Sequence, residues 1–158
     1  MLISINPFTL ESAENMVSLF SSDDIVRTEL GLDNSEFSAA EEFEFVQDWC
    51  RKKNSESFEI RYGGEFAGMI SLSHIDLVNK KAGVGYWIGS RFRCRGIGKK
   101  AFELILDIAK SKGLEILQSD IDRNNLFSLK IWQKFSPEIS EKNEKQVSLR
   151  IKISEQLP

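Results

Sequence analysis

The sequence predicts an α+β domain built on a mixed sheet, and three observations carry that expectation. Apolar positions alternate in some stretches and recur at helical spacing in others, giving the order β-α-α-β-β-β-α-β-α-β. Glycines, prolines and short polar clusters separate these stretches. No repeat, linker or low-complexity segment interrupts the 158 residues, so 1–158 is expected to be one domain. With 41% hydrophobic and 28% charged residues, the composition is that of an ordinary globular protein.

Each element has its own justification. The short alternation within Met1–Pro7 reads as a first strand. Glu11–Ser21 carries Ala13, Met16, Val17 and Phe20 at helical spacing, and Ser22-Asp23-Asp24 breaks the pattern. Ser38 with Glu41 matches a capping box, opening a helix to about Lys53 that carries Phe43, Val46, Trp49 and Cys50 on one side. Its last turn holds Arg51, Lys52 and Lys53, complementing the dipole. Phe58–Tyr62 and Glu65–Leu72 flank Gly63-Gly64, a hairpin signature. After the Asn79-Lys80-Lys81 turn comes the strand Ala82–Ile88. A helix over roughly Gly96–Lys112 follows, with Ile97, Ala101, Leu104, Ile105 and Ile108 in one stripe and Gly113 as its stop. Then come a strand at Glu115–Ile121, a helix from about Asn125 to Phe135 ended by Pro137, and a last strand at Gln146–Ile153.

Bulk properties exclude several functions. No apolar run approaches the ~20 residues of a membrane span, and the N-terminus lacks the basic and apolar regions of a signal peptide. Cys50 and Cys94 offer neither metal spacing nor a disulfide framework, so reduced thiols in a cytoplasmic protein are expected. One histidine, His74, excludes a His-rich metal site, and metal-free chemistry is expected. A pI of about 5.3 and the lack of a basic-aromatic stripe argue against nucleic acid. The charge is nonetheless polarised. Residues 1–57 hold four basic and twelve acidic side chains, whereas the rest holds 17 basic and 12 acidic. Two differently charged ligands meeting on one domain would produce such a split. So would solvated faces of no consequence.

The strongest chemical signal runs from Trp87 to Lys100. A strand ends, a short loop follows, and Gly96 and Gly98 open a long amphipathic helix. Glycines there admit close approach of a ligand to the backbone, and free N–H groups of a first helical turn face an anion. Arg91, Arg93, Arg95, Lys99 and Lys100 put five cations in ten residues with no acid among them. At a helix N-terminus each opposes the dipole by about 0.3–1 kcal/mol, which points to a polyanion. A Walker loop is absent, and Gly83-Val84-Gly85 lies inside an apolar strand, where no dinucleotide turn can form.

Arg93-Cys94-Arg95-Gly96-Ile97-Gly98 resembles the Arg/Gln-x-x-Gly-x-Gly/Ala pyrophosphate loop of the GCN5-related N-acetyltransferases (GNAT). The stretch Asn125–Phe135 resembles the same family's Asn-x-x-Ser/Ala-x-x-Leu-Tyr segment. The resemblance implies a GNAT-like, mostly antiparallel sheet flanked by helices, and transfer of an acetyl group from acetyl-CoA to a primary amine in a ternary complex. It implies that the backbone of Arg93, Cys94, Arg95, Gly96, Ile97, Gly98 and Lys99 holds the pyrophosphate. The strand segment Tyr86-Trp87-Ile88 is then expected to pair through its backbone with the pantetheine arm, flanked by Asn125, Ser128 and Trp132.

This chain departs from the family at two chemical positions. Trp132 stands where many members place a tyrosine that protonates the leaving thiolate, and indole donates a hydrogen bond but is no acid. Gly83 stands where relatives carry a glutamate base. Asp120, five residues before Asn125, is then the candidate base, with a salt-bridge partner or solvated carboxylate as the plain alternative. Ser128 is the candidate hydroxyl near the thiolate. His74 is a further candidate base or a structural residue, and Asp122 reads as a loop cap. The missing tyrosine and glutamate leave a second reading open, a CoA-binding sensor without turnover. The acidic residues Asp23, Asp24, Glu29, Asp33, Glu36, Glu41, Glu42 and Glu44 are expected to form one wall of the acceptor site and draw in a cationic amine, such as a polyamine, an aminoglycoside-like antibiotic or a basic peptide. A homodimer stays open.

Overall fold

A computed structural model describes residues 1–32 and 36–156. Seven strands form one sheet in the order β1-β2-β3-β4-β5-β7-β6: β1 Ile3–Pro7, β2 Glu56–Tyr62, β3 Glu65–Asp76, β4 Lys81–Ile88, β5 Ile116–Asp122, β6 Glu138–Glu141 and β7 Gln146–Lys152. All neighbours are antiparallel except β4 and β5. The helices are α1 Leu10–Ser22, α2 Asp24–Glu29, α3 Ala39–Lys52, α4 Ile97–Ser111 and α5 Leu126–Gln133.

Side-chain alternation sorts the sheet into two faces. On one face Ile70, Leu72, Val84, Ile88, Leu117 and Leu149 meet the buried stripe of α4 (Ile97, Ala101, Phe102, Ile105 and Ala109) and Trp132 of α5. Burying a side chain such as Phe102 completely contributes about 1.5–3 kcal/mol. On the opposite face, Phe66 and Met69 of β3 pack with Phe8, Met16 and Phe20, and α1 and α3 cover this part only. The polar strip over β5, β7 and β6 on the same face carries no helix.

Local chemistry explains the boundaries. Thr9 and Ser12 form a reciprocal capping box on α1, and the Ser12 hydroxyl donates to buried Glu59 at 2.7 Å. Glu59 also accepts from Arg61, which ties α1 to β2. Gly63 and Gly64 both have positive φ, as the tight β2–β3 turn requires. Ser38 caps α3 through the Glu41 N–H at 3.4 Å.

Two elements were not anticipated. The expected break at Ser22–Asp24 is instead a second helix start: Asp23 caps α2 by accepting from the Val26 N–H at 3.1 Å. The strand β6 is exposed at all four residues, so no apolar period announced it. Its two glutamates suit the sheet edge it occupies, because charge discourages further strand addition.

Candidate active site

The parallel pair β4–β5 is paired only over Lys81–Gly83 against Ile116–Gln118. Beyond that point the Ser119 side chain replaces the ladder. Its Oγ accepts from the Val84 N–H at 3.1 Å and donates to the Val84 carbonyl at 2.8 Å. Past this bridge the strands part, and a cleft of about 1270 Å³ opens, lined by residues of β3, β4, β5, β6, β7 and α5.

Main-chain groups of β4 alternate between the two sides. Gly89 donates to the Ala67 carbonyl at 2.8 Å, so the odd-numbered residues pair with β3, while the Val84 peptide groups point toward β5. By the same alternation Tyr86 and Ile88 direct their peptide groups into the splay. Trp87 spends its own on Met69, its register partner, and its ring packs with Phe20 and Phe66 on the α1 side. The Ile88 carbonyl is occupied by the Arg93 guanidinium at 2.9 and 3.1 Å. The Ile88 N–H and both Tyr86 peptide groups therefore remain for a ligand strand.

The glycine-basic loop lies at the outer end of the cleft. Gly96 caps α4 in the left-handed region (φ 76°) without a side-chain hydrogen bond, so the first-turn amides of Ile97, Gly98 and Lys99 face outward without a cap. Gly98 is needed for another reason: a Cβ there would lie 2.5 Å from Ile131 Cδ1, so the glycine lets α5 pack closely on α4. Cys94 is exposed with φ 62°. Arg95 lies over the Tyr62 ring at 5.8 Å, and Lys99 and Lys100 each reach Glu103 at 3.6 Å in exposed pairs worth little.

Arg93 is committed. It grips Glu29 with both terminal nitrogens at 2.8 and 2.6 Å, besides the Ile88 carbonyl. Its pairing holds the Glu29 carboxyl below the usual range, with burial opposing. Beside it Asp23, 8% exposed, accepts from the Ser90 N–H at 2.7 Å. Burial alone would raise the Asp23 carboxyl, but the Ser90 and Val26 amides, the Ser90 hydroxyl and Arg93 hold it below its ordinary value. Asp24 pairs with Arg27. Two of the acidic residues expected to wall an acceptor site, Asp23 and Glu29, thus pin α2 to the turn leading into the basic loop, while Asp24 pairs within α2. Asp33 lies outside the described residues.

On the α5 side of the cleft, Asn125 caps the helix by accepting from the Ser128 N–H at 3.1 Å. Ser128 is 9% exposed. The Tyr86 hydroxyl donates to the Ser128 carbonyl at 3.3 Å, and the phenol stands edge-on to Phe102 and Phe127. Burial pushes the Tyr86 phenol up to about 12, against a hydrogen bond with Ser128 that works in the opposite direction. Trp132, one turn beyond Ser128, lines the cleft and is fully buried. Its Nε1, among the described residues, has no hydrogen-bond partner.

The uncovered polar face supplies the other wall. Asp120 accepts from the Ser148 hydroxyl and pairs with Lys142 at 3.5 Å. Its side chain is 41% exposed. His74 also lines the cleft, on a bulge of β3 with φ 50°, where its N–H donates to Ser55 Oγ at 3.1 Å. Ser119 was not singled out from sequence, and Tyr86 was expected to act only through its backbone. Their roles rest on partners 35 and 42 residues away.

A strand splayed beside its parallel neighbour and an uncapped glycine-basic helix start suit an anionic ligand with a long amide-bearing arm. The acetyltransferase (GNAT) family matches residues 23–136. The chain belongs to that family. Among its relatives, Bacillus subtilis (strain 168) YdaF, described as a "Putative ribosomal N-acetyltransferase", is 42% identical over 55 residues, which cover 33% of this chain and 30% of that protein. A crystal structure of a probable acetyltransferase superposes with a TM-score of 0.81 at 23% identity, covering 98% of this chain and 94% of its own. RimL, the ribosomal L7/L12 alpha-N-protein acetyltransferase in complex with coenzyme A, gives 0.75 at 16% identity over 98% and 96%. Vibrio cholerae spermidine N-acetyltransferase, in complex with CoA and spermine, gives 0.77 at 11% over 97% and 96%. At these identities the superpositions show the shared GNAT fold. Among the described residues, no helix is long and apolar enough to cross a membrane.

Proposed function

We propose that this GNAT enzyme transfers an acetyl group from acetyl-CoA to a primary amine by direct attack within a ternary complex. The observation that carries this reading is the splay at Ser119. It leaves both Tyr86 peptide groups and the Ile88 N–H unpaired in line with the uncapped start of α4. Acetyl-CoA bound there supplies an activated thioester. The amides of Ile97, Gly98 and Lys99 and the exposed cations Arg95, Lys99 and Lys100 hold the pyrophosphate. The free edge of β4 pairs with the pantetheine arm and orients the thioester carbonyl.

The acceptor enters over the polar face, where Asp120 takes the amine's proton directly or through water. That face carries Lys81, Lys142 and Arg150 beside Asp76, Asp120, Asp122 and Glu138. Its charge is nearly balanced, and Asp23 and Glu29 are engaged elsewhere, so this face offers a polyamine little selective attraction. A half-exposed carboxylate as base favours an amine already partly free. An α-amine near ~8 is about a tenth free at neutral pH, whereas a lysine near ~10.4 is almost wholly protonated. We therefore favour a protein or peptide N-terminus as acceptor, a reading that the names of YdaF and RimL support.

Thiol release from acetyl-CoA, measured against peptides with free N-termini, polyamines and aminoglycosides, tests the proposal. Turnover with free N-termini is expected. Tight CoA binding with no thiol release on any amine would replace the enzyme by a sensor.

A further inference from the structure

We propose that Ser119 is a specificity-determining residue, its hydroxyl closing the inner end of the cofactor edge and so limiting the transferred acyl group to acetyl. This rests on the acetyl-transfer reading above and names which acyl thioesters that site accepts.

The edge of β4 left for a ligand is short, and a side chain ends it on either side. At the outer end the Arg93 guanidinium occupies the Ile88 carbonyl at 2.9 and 3.1 Å. At the inner end the Ser119 hydroxyl takes both Val84 peptide groups, at 3.1 and 2.8 Å. The Tyr86 peptide groups and the Ile88 N–H lie between these two stops. Connectivity gives the direction of a bound arm. From Ile88 the chain runs through residues 89–96 into the start of α4, so the anion-binding amides stand at the outer end. An arm anchored there extends along β4 away from Ile88, and its acyl end comes to Val84 and Ser119.

Behind Ser119 the sheet and the core are closed. Regular parallel pairing begins at Gly83 and Gln118, the next rung inward. Val84 belongs to the same packed core as Leu117, Trp132 and Leu149, all three fully buried. Such interiors are close-packed, and methylenes added to them force neighbours out of their rotamers. Ser119 itself is half-buried and lines the cleft, so an advancing acyl carbon meets it first. Its hydroxyl is also a poor surface for an alkyl chain. One hydrogen bond enters it and one leaves it, and displacing it would strand a buried Val84 peptide group without a partner. An acetyl methyl stops short of the bridge. Each further methylene must break the bridge or press into the core, which corresponds to about 10-fold or more in affinity per methylene.

Calorimetry with CoA, acetyl-CoA, propionyl-CoA and butyryl-CoA reads this limit without turnover. Acetyl-CoA should bind about as tightly as CoA, propionyl-CoA about 10-fold or more weakly, and butyryl-CoA more weakly still. Ser119→Ala removes the stop, and its affinities for the three acyl thioesters should converge. Faster hydrogen exchange at the Val84 amide, within an otherwise protected sheet, would show that the bridge is gone from a folded chain. Ser119→Thr keeps the hydroxyl and should keep the wild-type order. If CoA itself does not bind, the acetyl-transfer reading fails and takes this limit with it. If CoA binds and wild type holds butyryl-CoA as tightly as acetyl-CoA, that reading stands and the limit at Ser119 is refuted. A folded Ser119→Ala variant that keeps the wild-type order, or a Ser119→Thr variant that loses it, would overturn the proposal in the same way. The wild-type series and Ser119→Thr carry the test should Ser119→Ala fail to fold.

Discussion

Asp23 joins α2 to the turn after β4 through two hydrogen bonds, which makes it the most exacting point to perturb. Its carboxylate caps α2 through the Val26 N–H at 3.1 Å and holds the Ser90 N–H at 2.7 Å. Asp23→Ala removes both. The cap contributes about 1 kcal/mol and the bond to a charged acceptor about 1.5–3, for a loss of about 3 kcal/mol. At roughly 2–4 °C per kcal/mol for a chain of this length, Tm should drop by about 6–12 °C. Asp23→Asn keeps one acceptor oxygen and should lose about half as much. The pH dependence has a definite sign. The folded Asp23 carboxyl lies below its ordinary 3.8, so its stabilisation is complete above that value. It disappears as pH falls through the lower folded value. Urea unfolding of wild type and both variants, from neutral pH to about pH 2.5, measures all of this. The difference between wild type and Asp23→Asn should shrink toward the acid end. Loss of less than about 1 kcal/mol in Asp23→Ala, or a difference flat across that range, would refute the assignment.

Other perturbations separate roles that the sequence merges. Gly96→Ala forces a side chain into the left-handed region and should cost about 1–2 kcal/mol, read by thermal unfolding. Gly98→Ala asks only Ile131 to shift, whereas Gly98→Val should lose about 1–3 kcal/mol through overpacking between α4 and α5; equal losses would contradict the packing role. Tyr86→Phe should cost about 0.5–1.5 kcal/mol, and ultraviolet titrations of wild type and variant should superimpose up to about pH 11, because the buried phenol stays neutral there. Asp120→Asn should lower kcat/KM about 10²–10⁴-fold; an unchanged kcat/KM would eliminate Asp120 as base.

Much of this was legible from periodicity. α1, α4 and the Gly63-Gly64 hairpin each bury one face, and a buried face leaves a pattern in the chain. The glycine-basic loop and Asn125–Trp132 were legible because backbone geometry restricts which residues fit there. Elements with no buried face stayed hidden: α2 buries Val26 alone, and β6 buries nothing. The polarised charge was legible as a pattern, but what two of its acidic members hold was not. Asp23 and Glu29 answer the Ser90 amide and Arg93, contacts spanning 67 and 64 residues, and no local rule reports such distances. Gly98 was assigned to ligand approach, yet its tightest neighbour is Ile131, which only the assembled helices reveal.

The short β4–β5 pairing divides the sheet mechanically. Strands β1 to β4 form one plate and β5, β7 and β6 another, stitched by three paired rungs and a single serine side chain. A seam that narrow is the softest line in an otherwise continuous ladder, and thermal breathing should concentrate there before either plate loosens. Hydrogen exchange would then show the Val84, Tyr86 and Ile88 amides opening far ahead of the β3-facing amides of Gly85 and Trp87 on the same strand. Filling the seam from outside would lock the plates together, so occupancy of the cleft should register as stiffening of the whole sheet.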